Sequence, residues 1–115
     1  MPVKPEFLST IGLPLLARSL QEFREHNDDH PIDVAGVVFN HASDYAPEET
    51  RSKREVNAEA TKLGWYVFQN DIRYSRSYPK GAREGRPIFR TSNAQQRQKT
   101  AFHIFAQEFA QRISL

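Results

Sequence analysis

The chain has 115 residues, 38% of them hydrophobic, which is enough for one compact domain with a core that includes many of its eight phenylalanines. It has no cysteine, so disulfides, thiolate metal sites and cysteine nucleophiles are excluded. The net charge is only +2, yet residues 65–99 carry eight cations and two acids, a local balance of +6 that favours anionic partners. No apolar run has the length of a membrane span and no signal-peptide pattern opens the chain, so we expect a cytoplasmic protein without a membrane partner.

The first predicted element is a helix over residues 8–25, because apolar residues recur there at helical spacing. Ser9 or Thr10 is the predicted cap, and Pro14 is tolerable only near the first turn. The β-branched, nearly continuous apolar run at 32–40 then predicts a strand that is buried on both faces.

A polar loop is predicted at 41–46. Pro47 suits the start of a second helix, which is predicted to run to Leu63 and to end at Gly64. The short apolar run Trp65–Phe68 predicts the second strand.

The stretch Gln69–Arg90 is predicted to be a basic loop, with Pro87–Phe89 as a short extended piece. It holds six of the sixteen Lys and Arg residues of the chain. A last helix is predicted from Asn93, capped by Ser92 or Asn93. Its apolar stripe consists of Phe102, Phe105, Ala106, Phe109 and Ile113.

This alternation of helices and strands predicts an α/β fold in which parallel strands are flanked by helices on both faces. Two strands are fewer than a sheet normally has, and both are too apolar to serve as edges. We therefore expect residues 1–115 to form a single incomplete domain, completed by a partner or by further chain.

Polar side chains follow both predicted strands where the strands end. Asn40 closes the first strand, and Gln69, Asn70 and Asp71 follow the second. Because parallel strands place functional loops at their carboxyl ends, these groups are expected to converge, and an Asn amide suits the edge of a purine base. The alternative is that these residues only turn the chain.

The basic stretch has three interpretations. Its cations contact nucleic-acid phosphates with Tyr74 or Tyr78 stacking on bases, or they contact nucleotide phosphates, or they are only solvated. The GxxxxGK[ST] phosphate loop occurs nowhere in the chain, which argues against nucleotide phosphates. The four histidines have no ligand spacing and no Ser/His/Asp set is apparent, so no metal site and no catalytic residue is predicted.

Three segments follow one another in a distinctive order: PVKPEFLSTIGLPLL, IDVAGVVFN and FQNDIRYSRSYPKGAREGRPI. Together with the final Phe-rich helix, they resemble the C-terminal half of the ParA/MinD-type (deviant Walker A) ATPases, closest to the ParA proteins of plasmid and chromosome partition. The resemblance covers nearly the whole chain. It implies a partial three-layer P-loop NTPase-like fold with its N-terminal half missing.

Carried over residue by residue, the resemblance assigns adenine contacts to four residues, namely Asn40, Gln69, Asn70 and Asp71. It assigns non-specific DNA binding to Arg73, and Arg76 and Lys80 in the same basic stretch are further candidate DNA contacts. Gln69 stands where the family has a proline. The distance from Arg73 to Gly85 is four residues longer than in the family pattern.

A whole protein of this family binds ATP and Mg²⁺, dimerises around the nucleotide, binds non-specific DNA on the nucleoid and works with a ParB-like partner. Its Walker A lysines and switch aspartates have no counterpart in this sequence. We therefore expect this chain alone neither to bind ATP tightly nor to hydrolyse it, and to act as a homodimer or with an N-terminal half. The second hypothesis is a free-standing nucleic-acid-binding or scaffold module that uses the basic loop without nucleotide.

Overall fold

The chain was analysed as a computed structural model that describes residues 1–28, 31–43, 46–92 and 94–114. Its elements in chain order are β1 (Pro2–Val3), α1 (Phe7–His26), β2 (Val38–Ala42), α2 (Pro47–Leu63), β3 (Ile72–Arg73), α3 (Ser77–Glu84), a 3₁₀ helix (Ile88–Arg90) and α4 (Gln96–Arg112). Within the described residues, no helix is both long enough and apolar enough to cross a membrane.

The three strands form one parallel sheet in the order β1-β2-β3, with β2 at the centre. Val37, just before β2, also bridges Val67 in the parallel sense. The Val37 amide donates to the Tyr66 carbonyl over 2.7 Å, and the Phe68 amide donates to the Val37 carbonyl over 2.8 Å. The predicted α/β class with parallel strands is confirmed, and β3 is a strand that the sequence did not predict.

Helices cover both faces of the sheet. One face packs with α1 and α2 in a buried cluster of Val3, Leu13, Val37, Phe39, Val56 and Ala60. On the other face the Phe68 ring lies 5.5 Å from the Phe105 ring and 6.1 Å from the Phe109 ring of α4. Neighbouring residues of a strand alternate between the two faces, so Val67 packs against the first cluster and Phe68 against α4.

The first predicted strand is displaced. It was expected at 32–40, but regular pairing begins at Val38 and continues past Asn40 to Ala42. The carbonyl of Ile32 instead accepts a hydrogen bond from the Arg24 side chain at 2.7 Å. The physical reason is the shortness of β1, whose ladder pairs only Val38 and Phe39 of β2, so regular pairing on that side does not extend further back along the chain.

The stretch Gln69–Arg90 was predicted to be a loop, and this prediction was wrong. It contains β3, the eight-residue helix α3 and a 3₁₀ turn where Pro87–Phe89 was expected to be extended. Pro79 lies in the first turn of α3, where its missing N–H is not needed, and Gly85 ends that helix at φ 70°. The expected strand Trp65–Phe68 is reduced to its single bridge at Val67.

The capping rules applied to the sequence predict some helix ends correctly and others wrongly. Helix α2 begins at Pro47 and ends before Gly64, at φ 73°, as predicted. Ser9 and Thr10 lie inside α1 rather than capping it, and the Thr10 hydroxyl donates back to the Phe7 carbonyl at 2.6 Å. Pro14 also lies inside α1, beyond its first turn.

The last helix begins later than predicted. Gln95 is its N-cap, so Ser92 is not the cap, and Asn93, the other predicted cap, lies outside the described residues.

Candidate nucleic-acid interface

A groove runs along the carboxyl edge of the sheet, between the end of β3 and the first turns of α4. About 340 Å³ of this space is bordered by Arg73, Arg97, Gln98 and Ala101. A second part of the groove, of about 330 Å³, is bordered by Tyr74, Ser75, Arg76, Ser77, Gln95, Arg97 and Gln98. The two parts share Arg97 and Gln98, and we call them together the basic groove.

Asp71, an acidic residue next to the basic groove, is compensated by a cation. Asp71 pairs with Lys53, whose Nζ lies 2.6 Å from Asp71 Oδ2, with both side chains about one-fifth exposed. Within the described residues, neither Arg76 nor Arg97 has a carboxylate close enough to form an ion pair. Among the described residues, Arg76 and Arg97 therefore add positive charge that no carboxylate pairs.

Tyr74 places an aromatic ring at the groove. The residue is 57% exposed, and its ring stands edge-on to the His41 ring at 5.4 Å. Its backbone amide donates to the Ala42 carbonyl at 3.1 Å, which ties the chain beyond β3 to the end of β2. An exposed ring held among cations can stack on a nucleic-acid base.

The N-terminus of α4 adds to the positive field. Its N-cap, Gln95, makes no side-chain capping bond, and the first turn contains no acidic residue. Arg97 and Lys99 lie in that turn instead. Because the dipole of a helix is positive at its N-terminus, anions are favoured at this end of the groove.

The residues predicted to contact adenine are only partly brought together. Gln69, Asn70 and Asp71 line one space of about 240 Å³ with Arg73, Ala101 and Ile104. Asn40 is not among these lining residues, and its side-chain oxygen accepts a hydrogen bond from the His41 amide at 2.9 Å. Asn40 lies within β2 and pairs with Ile72, so the prediction that it closes the strand was wrong.

Glu108 of α4 binds the loop that carries these candidates. Its carboxylate accepts hydrogen bonds from the Tyr66 hydroxyl at 2.6 Å, the Gln69 amide at 2.8 Å, the Asn70 amide at 3.0 Å and the Asn70 side chain at 2.7 Å. Burial raises the pKa of Glu108, but these four bonds together outweigh burial and lower it. The hydrogen bond that the Tyr66 hydroxyl donates to Glu108 is the main cause that raises the pKa of Tyr66.

No protein-family model, curated protein or solved structure matches this chain. A function must therefore follow from the geometry and chemistry of the site itself. Within the described residues, no three His, Asp or Glu side chains are grouped so that they could hold a metal ion.

The predicted DNA contacts divide into two groups. Arg73 and Arg76 both border the basic groove, whereas Lys80 lies on α3 close to Glu84. Hydrogen bonds from Ser92 are the main cause that lowers the pKa of Glu84, and the charge of Lys80 lowers it further.

Sequence reasoning missed Arg97, which the fold places on the same groove as Arg73. The signal was present in the sequence, because Gln96–Lys99 holds two cations and no acid at the start of an amphipathic helix.

Proposed function

We propose that this chain binds nucleic acid without sequence preference, through phosphate contacts along the basic groove. The observation that carries the proposal is the convergence of Arg73, Arg76 and Arg97 from β3, the following segment and α4 on one groove. Cations from separate elements that face one groove provide a track for a polyanionic backbone.

Further features support this function over a merely solvated surface. The charge of the nearby Asp71 carboxylate is offset by its ion pair with Lys53. The N-terminus of α4 contributes its dipole, and Tyr74 offers an exposed ring for stacking. The amides, hydroxyls and arginines that line the groove can contact phosphate and sugar oxygens of any sequence.

The test is a titration of fluorescent single-stranded and duplex oligonucleotides of mixed sequence, followed by anisotropy at several salt concentrations. Binding by the unmodified chain is expected to weaken steeply with salt. Arg76→Ala and Arg97→Ala are each expected to lower affinity several-fold and to reduce the magnitude of the log–log salt slope by about one, because each removes about one phosphate contact.

The matched control is Lys62→Ala, which removes an exposed cation in the last turn of α2, at the opposite end of that helix from the carboxyl edge of the sheet. Its affinity and salt slope are expected to equal those of the unmodified chain. If the triple variant of Arg73, Arg76 and Arg97 binds as well as the Lys62→Ala control, the groove is not the binding surface.

A second candidate is that the chain forms part of a ParA-type partition ATPase and supplies the wall of its base pocket. What supports this proposal is the shared space bordered by Gln69, Asn70 and Asp71 at the carboxyl edge of a parallel sheet. In this proposal a ParB-like partner and non-specific DNA would be bound by the whole protein. The bond network of Glu108 would have to rearrange before the Asn70 amide could meet a base.

Calorimetric titration with Mg-ATP tests this second candidate. The sequence holds no Gly-rich phosphate loop, so weak or no binding is expected until a protein segment that carries one is supplied. If such a segment leaves ATP binding unchanged, the ATPase hypothesis is wrong. Nucleic-acid binding by the groove is tested independently, by the oligonucleotide titration.

A further inference from the structure

Tyr74 and His41 form an exposed aromatic pair beside the basic groove. Both residues are exposed, and their rings stand edge to face with the centroids 5.4 Å apart. Neither ring belongs to the buried cluster of the fold. The contact with His41 therefore holds the Tyr74 ring in place while 57% of Tyr74 stays open to solvent, and a platform for base stacking requires both conditions.

The backbone at His41 adopts a conformation that few residues other than glycine accept. Its φ is 56°, inside the left-handed region. His41 is also an extra residue in the β2–β3 ladder, because Asn40 pairs with Ile72 while Ala42 pairs with Arg73, the very next residue. An irregularity of this kind re-aims a side chain, and backbone strain is concentrated at functional sites. The side chain that it presents here is the one that contacts Tyr74.

The Tyr74 ring and the arginines line one concave surface. Tyr74 borders the part of the basic groove that holds Arg76 and Arg97. It also borders an adjoining space of about 130 Å³ together with Ala42, Ser43, Arg73, Arg97 and Gln98. Phosphates held by the arginines and a flat group stacked on Tyr74 can therefore be parts of one bound polymer.

A duplex cannot use these two features together. Its phosphates lie on the outside and its base faces are covered by their neighbours in the stack, so a base must leave the stack before a ring can lie against its face. A single strand can place an unpaired base on an exposed ring while its phosphates follow the cations. A ring among arginines therefore distinguishes the two classes of nucleic acid, whereas arginines alone do not.

We propose that the basic groove binds single-stranded nucleic acid, with an unpaired base stacked on Tyr74 and with His41 supporting the Tyr74 ring. This inference rests on the proposed function, because it specifies which nucleic acid the same groove binds. The arginines hold the phosphates, and Tyr74 supplies the preference for strands whose bases are unpaired.

Fluorescence anisotropy tests the proposal with three probes, namely an unstructured single strand, an abasic strand with the same number of phosphates, and a duplex. The unmodified chain is expected to bind the single strand about tenfold more tightly than the abasic strand, and more tightly than the duplex. In Tyr74→Leu the ratio of the first two affinities is expected to fall to about one. The salt slope of that variant should not change, because no charge is removed. Tyr74→Phe keeps the ring and is expected to retain the ratio.

His41→Gly is expected to lower the same ratio several-fold. Glycine accepts a φ of 56° without strain, so circular dichroism should show that this variant is folded. The matched control is Phe23→Leu, which removes a ring that is 38% exposed near the end of α1 and borders no part of the groove. This control is expected to bind all three probes like the unmodified chain.

The outcomes separate this inference from the proposed function. If Tyr74→Leu keeps the preference for the single strand over the abasic strand, or if the unmodified chain prefers the duplex, the inference is overturned, while phosphate binding by the groove still holds. If the chain binds none of the three probes, the inference and the proposed function both fail. A His41→Gly variant with an unchanged ratio overturns the supporting role of His41.

Discussion

At the scale of single residues, Glu108 is the most connected side chain of the candidate site. One carboxylate on α4 accepts bonds from a tyrosine hydroxyl, two backbone amides and a side-chain amide. It holds the chain between Tyr66 and Asn70 against α4, and so fixes Gln69 and Asn70 at the space of about 240 Å³ that they line with Asp71 and Arg73. A phosphate or a carboxylate of another molecule could bind these donors only by displacing Glu108.

Glu108→Gln is expected to destabilise the fold by about 1–2 kcal/mol. The NH₂ group of the glutamine is a donor, and it would face donors of the loop that need an acceptor. Urea unfolding at neutral pH, followed through the single tryptophan, measures this change. Glu55→Gln is the matched control, since Glu55 forms only an exposed pair with Arg51 on α2.

The effect of Glu108→Gln depends on pH in a defined direction. The pKa of Glu108 is lowered in the folded chain, so its carboxylate stabilises the fold fully above the ordinary glutamate pKa of about 4.3. That contribution is lost as the pH falls through the lower folded-state value. The stability gap between the unmodified chain and Glu108→Gln should therefore close in acid, and a gap that is constant with pH would contradict the prediction.

At the scale of elements, α3 and the 3₁₀ helix form one unit that packs against α4. Gly81 of α3 lies against Thr91, which is 2% exposed and donates from its hydroxyl to the Pro87 carbonyl at 2.9 Å. The Ser92 hydroxyl donates to Glu84. The Phe89 ring lies 6.4 Å from the Phe102 ring of α4, so the unit is attached to the helix that borders the basic groove.

Gly81→Ala is expected to destabilise this unit by about 1–3 kcal/mol, since the added Cβ would lie 2.8 Å from the Arg86 carbonyl oxygen and closer still to the Thr91 hydroxyl. Chemical denaturation and amide exchange of α3 measure the loss. Ala82→Ser, at the exposed neighbouring position, is expected to change stability by less than about 0.5 kcal/mol. Equal effects of the two variants would show that the close contact with Thr91 is not restrictive.

At the scale of the whole molecule, the arginines of the basic groove and the exposed apolar residues of α1 belong to different parts of the fold. Arg73, Arg76 and Arg97 border the groove at the carboxyl edge of the sheet, while α1 packs with α2 on one face of the sheet.

The agreement between sequence and structure is best where the determinants are local. The bounds of α2 follow from Pro47 and Gly64, which begin and end a helix whatever surrounds it. The prediction was wrong for α3, because eight residues with a glycine and a proline have little helical propensity of their own, and packing of Gly81 on Thr91 supplies what is lacking.

The sequence by itself determined the α/β class, the limits of α2, the Phe stripe of α4 and the excess of positive charge after residue 65, because periodicity, capping and composition act over a few neighbouring residues. Only the tertiary structure decided that Arg97 and Arg73 border one groove, that Glu108 binds a loop 39 residues earlier, and that the apolar face of α1 points outward. These contacts join residues far apart in the chain. They depend on which helix face packs against the sheet, and an amphipathic pattern does not specify the surface that covers it.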